Sequence, residues 1–174
     1  MNKFFYSFLY LYRKVKSLFW SRIFGLQCVS TGKHIGVSCL SRIGREAKVS
    51  IDDYFYSNGL RITGRGTVKI GKYFHSGTNC KIMLGSHDYD HGETIPYGTK
   101  YDAKEVVIGD FVWFGSDVTV CGNVKIGIGA ILAMGAVVVK NVPDYAIVGG
   151  NPAKIIKYRD INHFNHLLQN NKFH

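Results

Sequence analysis

A repeat of six residues is the feature that most constrains how this chain of 174 residues can fold. Between residues 107 and 143, every sixth position of one series is apolar: Ile108, Phe114, Val120, Ile126, Leu132 and Val138. The residue directly after each of these six is mostly small. The residue four positions after each of the six is again apolar or small. Neither the 3.6-residue period of an α-helix nor the alternation of a plain amphipathic strand produces this pattern.

A period of six indicates short strands that each end in a tight turn before they can lengthen. Three such strands make a triangular coil of about eighteen residues, and successive coils stack at the usual strand spacing of roughly 4.8 Å. The branched residue of each hexad then points inward, and the small residue beside it fits the corner, where glycine tolerates a positive φ. The pattern therefore predicts an all-β chain folded as a parallel β-helix of the hexapeptide class.

A looser copy of the repeat precedes the regular one. Residues 49–62 and 68–82 share the frame V-x-I-x-x-Y-F with an offset of 19 residues, close to one coil plus one inserted residue. We therefore expect the β-helix to span residues 32–150, after a basic, aromatic helical segment at 1–31 and before a short helical tail at 151–174. Residues 85–104, which break the repeat, are predicted to form a loop extruded from the β-helix.

Composition places the chain among globular proteins, since 46% of its residues are hydrophobic. The net charge of +10 is compatible with nucleic-acid binding, but beyond residue 27 the basic residues are scattered and no nucleic-acid-binding motif is found. We therefore predict no nucleic-acid partner. The cysteines, at positions 28, 39, 80 and 121, form no CxxC pair, and we expect free, mostly buried thiols in a cytoplasmic protein without a cleavable signal.

Three features carry a resemblance to a known family: the hexads, IGDFVWFG at residues 108–115, and VVVKNVPDYAIVGGNPAK at residues 137–154. With them, residues 32–157 resemble the left-handed β-helix (hexapeptide-repeat) acyltransferases. The sugar and polysaccharide O-acetyltransferases are most similar, with maltose/galactoside and xenobiotic acetyltransferases as relatives. The resemblance implies a left-handed coil, contrary to the usual right-handed crossover, and a homotrimer with acetyl-CoA bound in clefts between neighbouring β-helices.

The N-terminal segment contains only basic charges, at Lys3, Arg13, Lys14, Lys16 and Arg22. Its apolar residues recur near helical spacing, but only nine uncharged residues separate Lys3 from Arg13, whereas a membrane-spanning helix needs about 20. One interpretation is an amphipathic helix at the inner face of an anionic plasma membrane. The other is a helix that packs on the end of the trimer and caps the first coil, as repeat proteins require.

Acetyl transfer to a hydroxyl requires a base for the hydroxyl proton, and the interrupting segment GSHDYDHGETIPYGTK at residues 85–100 contains two histidines. The resemblance places the catalytic histidine at the start of this loop, which is His87, with His91 as the alternative. Histidine titrates near neutral pH, which suits a general base. Asp88, Asp90 and Glu93 are candidates to hold the second ring nitrogen, and the sequence does not choose among them.

The resemblance also implies a cofactor site on the regular coils, formed by Trp113, Gly115, Ser116, Met134, Val139, Lys140 and Lys157. The backbone amide of Ser116 is the candidate donor to the oxyanion, and that of Met134 the candidate donor to the pantetheine arm. Met134 is bulkier than the usual residue, and Val139 stands where many relatives have threonine. Lys140, Lys157 and, more weakly, Lys154 are candidates to face the CoA phosphates as point charges.

Four residues on or near the loop are candidates for acceptor binding: Asn79, Tyr89, Glu93 and Tyr97. Zinc is an alternative use of His87 and His91, because γ-class carbonic anhydrases share this fold and take zinc from three histidines, and His34 or His75 could supply a third. The Trp113 motif and the Pro-Ala-Lys ending fit the acyltransferases better, so we predict no metal.

The resulting hypothesis is an acetyl-CoA-dependent O-acetyltransferase that acts on a sugar hydroxyl in bacterial surface polysaccharide synthesis, with a saccharide acceptor that is free or lipid-linked. Transfer is expected to be direct, because no cysteine falls where a nucleophile should be and Cys121 is expected at a buried corner. The alternatives are N-acetylation of an amino sugar and a β-helix scaffold without catalytic activity.

Overall fold

The computed structural model describes residues 3–174 and consists of three parallel sheets that form the faces of a β-helix. Sheet 1 contains β1 (Ser30–Thr31), β4 (Ala47–Ile51), β7 (Gly66–Ile70), β12 (Lys104–Ile108) and β15 (Val124–Ile126). Sheet 2 contains β2 (Ile35–Val37), β5 (Phe55–Ser57), β8 (His75–Ser76), β13 (Trp113–Phe114), β16 (Ile131–Leu132) and β18 (Ala146–Gly149). Sheet 3 contains β3 (Arg42–Ile43), β6 (Leu60–Gly64), β9 (Cys80–Leu84), β14 (Thr119–Cys121) and β17 (Val137–Val138).

The inward positions predicted from the repeat form the core. Every member of both apolar series between residues 108 and 142 is at most 5% exposed. The predicted offset in the looser copy is also confirmed, because Val49 pairs with Val68 in the neighbouring coil. Val68 then pairs with Val106, across the inserted loop, and Val106 with Val124. The interruption therefore leaves the stacking of the coils intact.

The corner between sheets 1 and 2, called here the aromatic corner, is built mostly from aromatic residues and not from the small residues, such as glycine, that the sequence predicts at corners. Non-glycine residues take a positive φ there in five coils, at His34, Tyr54, Tyr73, Phe111 and Tyr145, and glycine does so only in the coil of Gly129. The first four stack their rings in sequence at 4.6, 4.5 and 4.9 Å. Beside them, Asp53, Asp110 and Asp144 each accept a hydrogen bond from a backbone N–H of the preceding coil, at 2.7–2.9 Å. Side-chain stacking and these bonds offset the cost of a left-handed backbone.

The N-terminal helix α1 (Lys3–Gln27) closes one end of the β-helix. Phe24 is fully buried and stacks on Phe55 of the core at 5.4 Å. The Ser21 hydroxyl accepts a hydrogen bond from the amide of Val37 at 2.8 Å, and the Gln27 side chain accepts one from Ile43 at 2.9 Å. The second half of α1 thus supplies acceptors to amides at the outer edge of the first coil, whose other edge pairs with the second coil. Met1 and Asn2 of the predicted segment lie outside the described residues.

The C-terminal segment, predicted to be helical, contains a strand as well as a helix. Residues Lys154–Tyr158 form a strand, β19, which pairs antiparallel with β18, and the helix α2 covers only Ile161–Gln169. The reason is the open edge that sheet 2 presents after its last coil, whose backbone groups require partners. The N-terminus of α2 is capped by Asp160, whose carboxylate accepts a hydrogen bond from the amide of His163 at 2.9 Å.

Within residues 3–174, no helix is long and apolar enough to cross a membrane.

Substitution Phe24→Ala should lower the free energy of unfolding by about 3–5 kcal/mol, because it opens a cavity between α1 and the core. Leu18→Ala, on the same helix but with a side chain 65% exposed, is the matched control and should change stability little. Denaturant unfolding followed by circular dichroism measures both. Equal stability of the two variants would mean that α1 does not cap the β-helix.

Candidate active site

The extruded loop leaves the β-helix at the corner between sheets 3 and 1, called here the loop corner. Its base is a short antiparallel ladder of β10 (Ser86–His87) and β11 (Tyr101–Asp102). Gly85 has a φ of +103°, and a Cβ there would lie 2.5 Å from the Tyr101 ring, so the turn into the loop requires glycine. The Tyr101 hydroxyl donates to the carbonyl of Leu84 at 3.1 Å, which ties the base of the loop to β9.

Turn hydrogen bonds hold the tip of the loop. Asp88 accepts two of them, from the amide of His91 to its carboxylate and from the amide of Gly98 to its carbonyl, both at 2.8 Å. The Thr94 hydroxyl donates to the carbonyl of Tyr97 at 2.8 Å. Gly92 and Gly98 lie so close together that a Cβ on either would collide with the other. The loop is therefore an ordered turn structure that holds its side chains in place.

His87 lies in β10 with an exposed side chain, and two phenol rings hold its imidazole. It stacks on Tyr97 at a ring distance of 4.1 Å and meets the edge of Tyr101 at 5.1 Å. The structure thus brings Tyr97, an acceptor candidate, directly onto the candidate base. Among the described residues, no carboxylate forms a hydrogen bond with the His87 ring, and the Asp88 carboxylate accepts from the amide of His91 instead.

The remaining loop candidates, His91, Tyr89 and Glu93, have exposed side chains near the tip of the loop. His91 and His87 are four residues apart, but they do not share a helix. The two further histidines considered for zinc lie elsewhere, with His34 on the aromatic corner and His75 in sheet 2. No group of three or more His, Cys, Asp or Glu side chains in the described part of the chain is placed to hold a metal ion.

Two cofactor candidates, Val139 and Lys140, lie on the loop corner in coils nearer the C-terminal end of the β-helix. Met83 pairs with Cys121 of the next coil, and Val120 pairs with Val138, so Val139 follows above Cys121. Val139 and Lys140 are both exposed there. At one strand spacing per coil, they lie about 10 Å along the β-helix from the base of the loop. These two cofactor candidates therefore lie on the same edge of the β-helix as His87.

The second group of candidates lies on the corner between sheets 2 and 3, called here the serine corner. The Ser116 hydroxyl accepts hydrogen bonds from the amide and hydroxyl of Thr78, both at 3.2 Å. A Cβ at Gly115 would lie 2.6 Å from the amide nitrogen of Met134, so glycine allows the two coils to approach. Asn79 donates to the carboxylate of Asp117 at 2.6 Å and is thus engaged within the corner.

The backbone of the serine corner leaves two donors available. Across residues 3–174, neither the amide of Ser116 nor that of Met134 donates a hydrogen bond to protein. The two N–H groups lie in equivalent turns of successive coils, and the carbonyl of Ser116 accepts from Gly135 at 2.9 Å. Adjacent free amides are suited to binding carbonyl oxygens or a developing oxyanion.

A single protomer does not join these groups into one site. From Ser116 to Cys121 the chain runs along sheet 3, and five extended residues span roughly 16 Å. The serine corner and the loop corner are therefore opposite edges of the same face. The remaining lysines are on neither corner, since Lys154 and Lys157 lie in β19 at the edge of sheet 2.

The sequence reasoning missed a cavity of about 340 Å³ between sheet 2, the aromatic corner and α2. Trp113, which is 52% exposed, forms part of its wall. Burial lowers the pKa of Arg159 in this cavity, and its guanidinium lies 5.4 Å from the Phe164 ring. Burial, and then the charge of His174, lower the pKa of His75. In the sequence, the aromatic residue that directly precedes an inward residue could have indicated the aromatic corner. Nothing in the sequence indicated that α2 folds onto this corner.

Curated proteins similar to this chain are named acetyltransferases. A chloramphenicol acetyltransferase of Klebsiella aerogenes is 39% identical over 106 residues, covering 52% of this chain and 50% of the relative. A putative acetyltransferase of Saccharomyces cerevisiae is 34% identical over 112 residues, covering 64% and 56% of the two chains. The chain thus spans about half the length of these relatives. No protein-family model matches the sequence.

Solved structures of similar fold include a galactoside acetyltransferase in complex with coenzyme A. It has a TM-score of 0.67 and 23% identity, and the match covers 82% of this chain and 71% of that one. AntD, an N-acyltransferase from Bacillus cereus in complex with dTDP and 3-hydroxybutyryl-CoA, also has a TM-score of 0.67, with 17% identity and coverage of 87% and 95%. Together the comparisons confirm the predicted hexapeptide-repeat β-helix fold and the resemblance to its acetyltransferases.

The expectation of mostly buried thiols is only partly correct. Cys80 is buried, but Cys28, Cys39 and Cys121 are partly exposed. Cys121 was expected at a buried corner. It is accessible because it follows the inward Val120 in β14 and therefore lies on the outer side of the strand.

Alkylation by iodoacetamide at about pH 8 should be slow at three of the four cysteines, because only the thiolate reacts. Burial raises the pKa of Cys28 to about 12 and also raises the pKa of Cys80 and Cys121. Mass spectrometry of time points measures the rates, and a peptide thiol is the external reference. Rapid and selective modification of Cys121 would contradict the assignment of direct transfer, since it would reveal an activated thiol beside the loop corner.

Proposed function

We propose that this chain, whose β-helix is that of the hexapeptide-repeat acetyltransferases, transfers an acetyl group from acetyl-CoA to a sugar hydroxyl with His87 as the general base. The observation that carries this proposal is the His87 ring, which is held between Tyr97 and Tyr101 on the loop corner. Val139 and Lys140 lie on the same corner, in a coil nearer the C-terminal end, and both are exposed. The acetyltransferase names of the sequence relatives and the CoA bound in structures of this fold support the choice of cofactor.

The reaction is a single displacement. His87 accepts the hydroxyl proton while the acceptor oxygen attacks the thioester carbonyl, and the carbonyl oxygen becomes an oxyanion. The intermediate then collapses, the C–S bond breaks, and the imidazolium returns its proton to the CoA thiolate. The products are an acetyl ester and CoA. The amide of Ser116 is the proposed oxyanion donor, and that of Met134 the proposed contact to the pantetheine arm, because both N–H groups are free of partners within residues 3–174.

The proposed site requires a second copy of the chain. The base and the free amides occupy opposite edges of sheet 3, too far apart to act on one thioester within a protomer. In a homotrimer of parallel β-helices, the loop corner of one subunit faces the serine corner of the next. That arrangement brings His87 to the donors of a neighbouring subunit and leaves a cleft between them for acetyl-CoA.

Lysines on the outer coils are proposed to hold the CoA phosphates. Lys140 is exposed on the loop corner, and Lys154 and Lys157 are exposed on β19. Trp113, which is half-exposed on β13, and Gly115 complete the proposed cofactor wall.

The acceptor side is proposed to use Tyr89, Glu93 and Tyr97 of the loop, with Asn79 at the cleft. Tyr97 has a second proposed role, because its stacking on His87 positions the imidazole. The proposed setting is bacterial surface polysaccharide synthesis, with a lipid-linked saccharide as one form of the acceptor.

N-acetylation of an amino sugar is the second candidate. It is favoured by the similarity of fold to AntD, which is an N-acyltransferase solved with dTDP. Paired acceptors that differ only in a hydroxyl or an amino group at one carbon separate the two activities. Faster turnover of the hydroxyl sugar supports the proposal, and faster turnover of the amino sugar replaces it. Absence of CoA binding by calorimetry would instead indicate a scaffold.

Substitution His87→Ala should lower turnover by about 100-fold or more while leaving CoA affinity nearly unchanged, because the base acts only during the chemical step. His91→Ala, four residues along the same loop, is the matched control and should retain activity. A thiol-release assay measures turnover, and calorimetry measures CoA binding. If His91→Ala loses activity and His87→Ala keeps it, the assigned base is wrong.

Substitution Lys140→Ala should weaken CoA binding by about threefold to tenfold, because it removes one exposed cation from the cofactor phosphates. Lys125→Ala removes another exposed cation, from β15 on sheet 1, and should have no effect. Titration of CoA by calorimetry at low salt compares the two variants. Identical affinities would show that Lys140 does not contact the cofactor.

A further inference from the structure

The outward face of α1 carries an apolar stripe. Phe8, Leu11, Val15, Leu18 and Leu26 are 66, 59, 58, 65 and 81% exposed. At 100° per residue they fall on one side of the helix, opposite the buried Phe24. Side chains of this size are costly to leave in water, so the stripe, defined by these five residues, is a surface prepared for contact.

Basic residues surround the stripe without any compensating acid on the helix. Helical spacing places Lys14 and Lys16 on its two borders and Arg13 on the opposite side. Arg22 projects from the stripe itself, and its long aliphatic stem allows the charge to reach a polar headgroup layer. Tyr10, Tyr12 and Phe19 are also exposed, and aromatic side chains of this kind are favoured at the boundary between lipid and water.

We propose that the stripe docks on the surface of an anionic lipid bilayer, with α1 lying parallel to the membrane plane. The apolar side chains enter the acyl boundary while the lysines and arginines contact anionic headgroups. Charge complementarity selects this occupant, since the helix presents cations only. The proposal is independent of the reaction proposed above.

The other side of α1 determines how the protein sits on that surface. Through Phe24, Ser21 and Gln27, the helix is fixed to the first coil. The helix is therefore already folded before it meets lipid, unlike a free amphipathic peptide, which must order on binding. Docking through the stripe turns the first coil toward the bilayer and leaves the β-helix standing away from it.

Co-sedimentation of the full chain with phosphatidylcholine vesicles containing phosphatidylglycerol tests the proposal, with pure phosphatidylcholine vesicles in parallel. Binding should require the anionic lipid and weaken as salt is raised. Leu11→Ser combined with Val15→Ser, and Lys14→Gln combined with Lys16→Gln, should each lower the partition coefficient at least about tenfold. Lys48→Gln combined with Lys125→Gln removes the same charge from sheet 1 and should leave binding unchanged.

Circular dichroism and thermal unfolding of each variant establish that the fold is retained, which is expected because Leu11, Lys14 and Val15 are exposed and Lys16 is only partly buried. Equal binding by all variants, or no binding to anionic vesicles, overturns the proposal. Size-exclusion chromatography covers the remaining outcome. Self-association lost in the Leu11 and Val15 variant, without vesicle binding by the parent chain, would show that the stripe contacts another copy instead of lipid.

Discussion

Hydrogen bonds between successive coils are the interaction on which the rest of this structure depends. The individual strands have two to five residues, too few to persist alone in water. Each strand is held because it pairs with the strand below and the strand above, while the apolar ladders inside exclude water from one side of the sheet. Local preference contributes little, and the stability of any coil depends on its neighbours.

This dependence explains where functional groups can be placed. Strand positions alternate between the core and the outer face, and a change of register would move every inward residue outward. Corners carry no such restriction, provided that the backbone hydrogen bonds resume in the next coil. The pairing of Val68 with Val106 shows how far this freedom extends, because a long loop separates the two residues. The loop corner can therefore carry an inserted segment that contains His87 without changing the register of the coils.

The core between Ile108 and Val142 was predictable to the residue, because equivalent positions in successive coils meet the same environment. The two apolar series and the offset between Val49 and Val68 follow from that equivalence. The surroundings of His87 were not predictable, because its contact with Tyr97 depends on how a loop with little apolar content turns. The strand β19 was missed for a different reason. Its sequence, KIIKY, suits a helix or a strand, and the unpaired edge of sheet 2 decides between them.

The aromatic corner could be predicted only in part from the sequence. A tyrosine or phenylalanine stands directly before an inward residue at Tyr54, Tyr73 and Phe111, but the period of six alone predicts glycine or another small residue at a turn. Stacking of the rings along the corner is a property of neighbouring coils that no single coil reveals. Handedness likewise came from resemblance, since a repeat of six is compatible with either sense of winding.

The antiparallel pairing of β19 with β18 has a consequence for the length of the molecule. A stack of identical parallel coils has no intrinsic end, and an exposed last coil is a template for the first coil of another molecule. Reversal of chain direction in sheet 2 removes the parallel template, and α1 occupies the opposite end. The number of coils is thus limited at one end by the strand β19 and at the other end by the helix α1. These two caps prevent the protein from extending into a fibre.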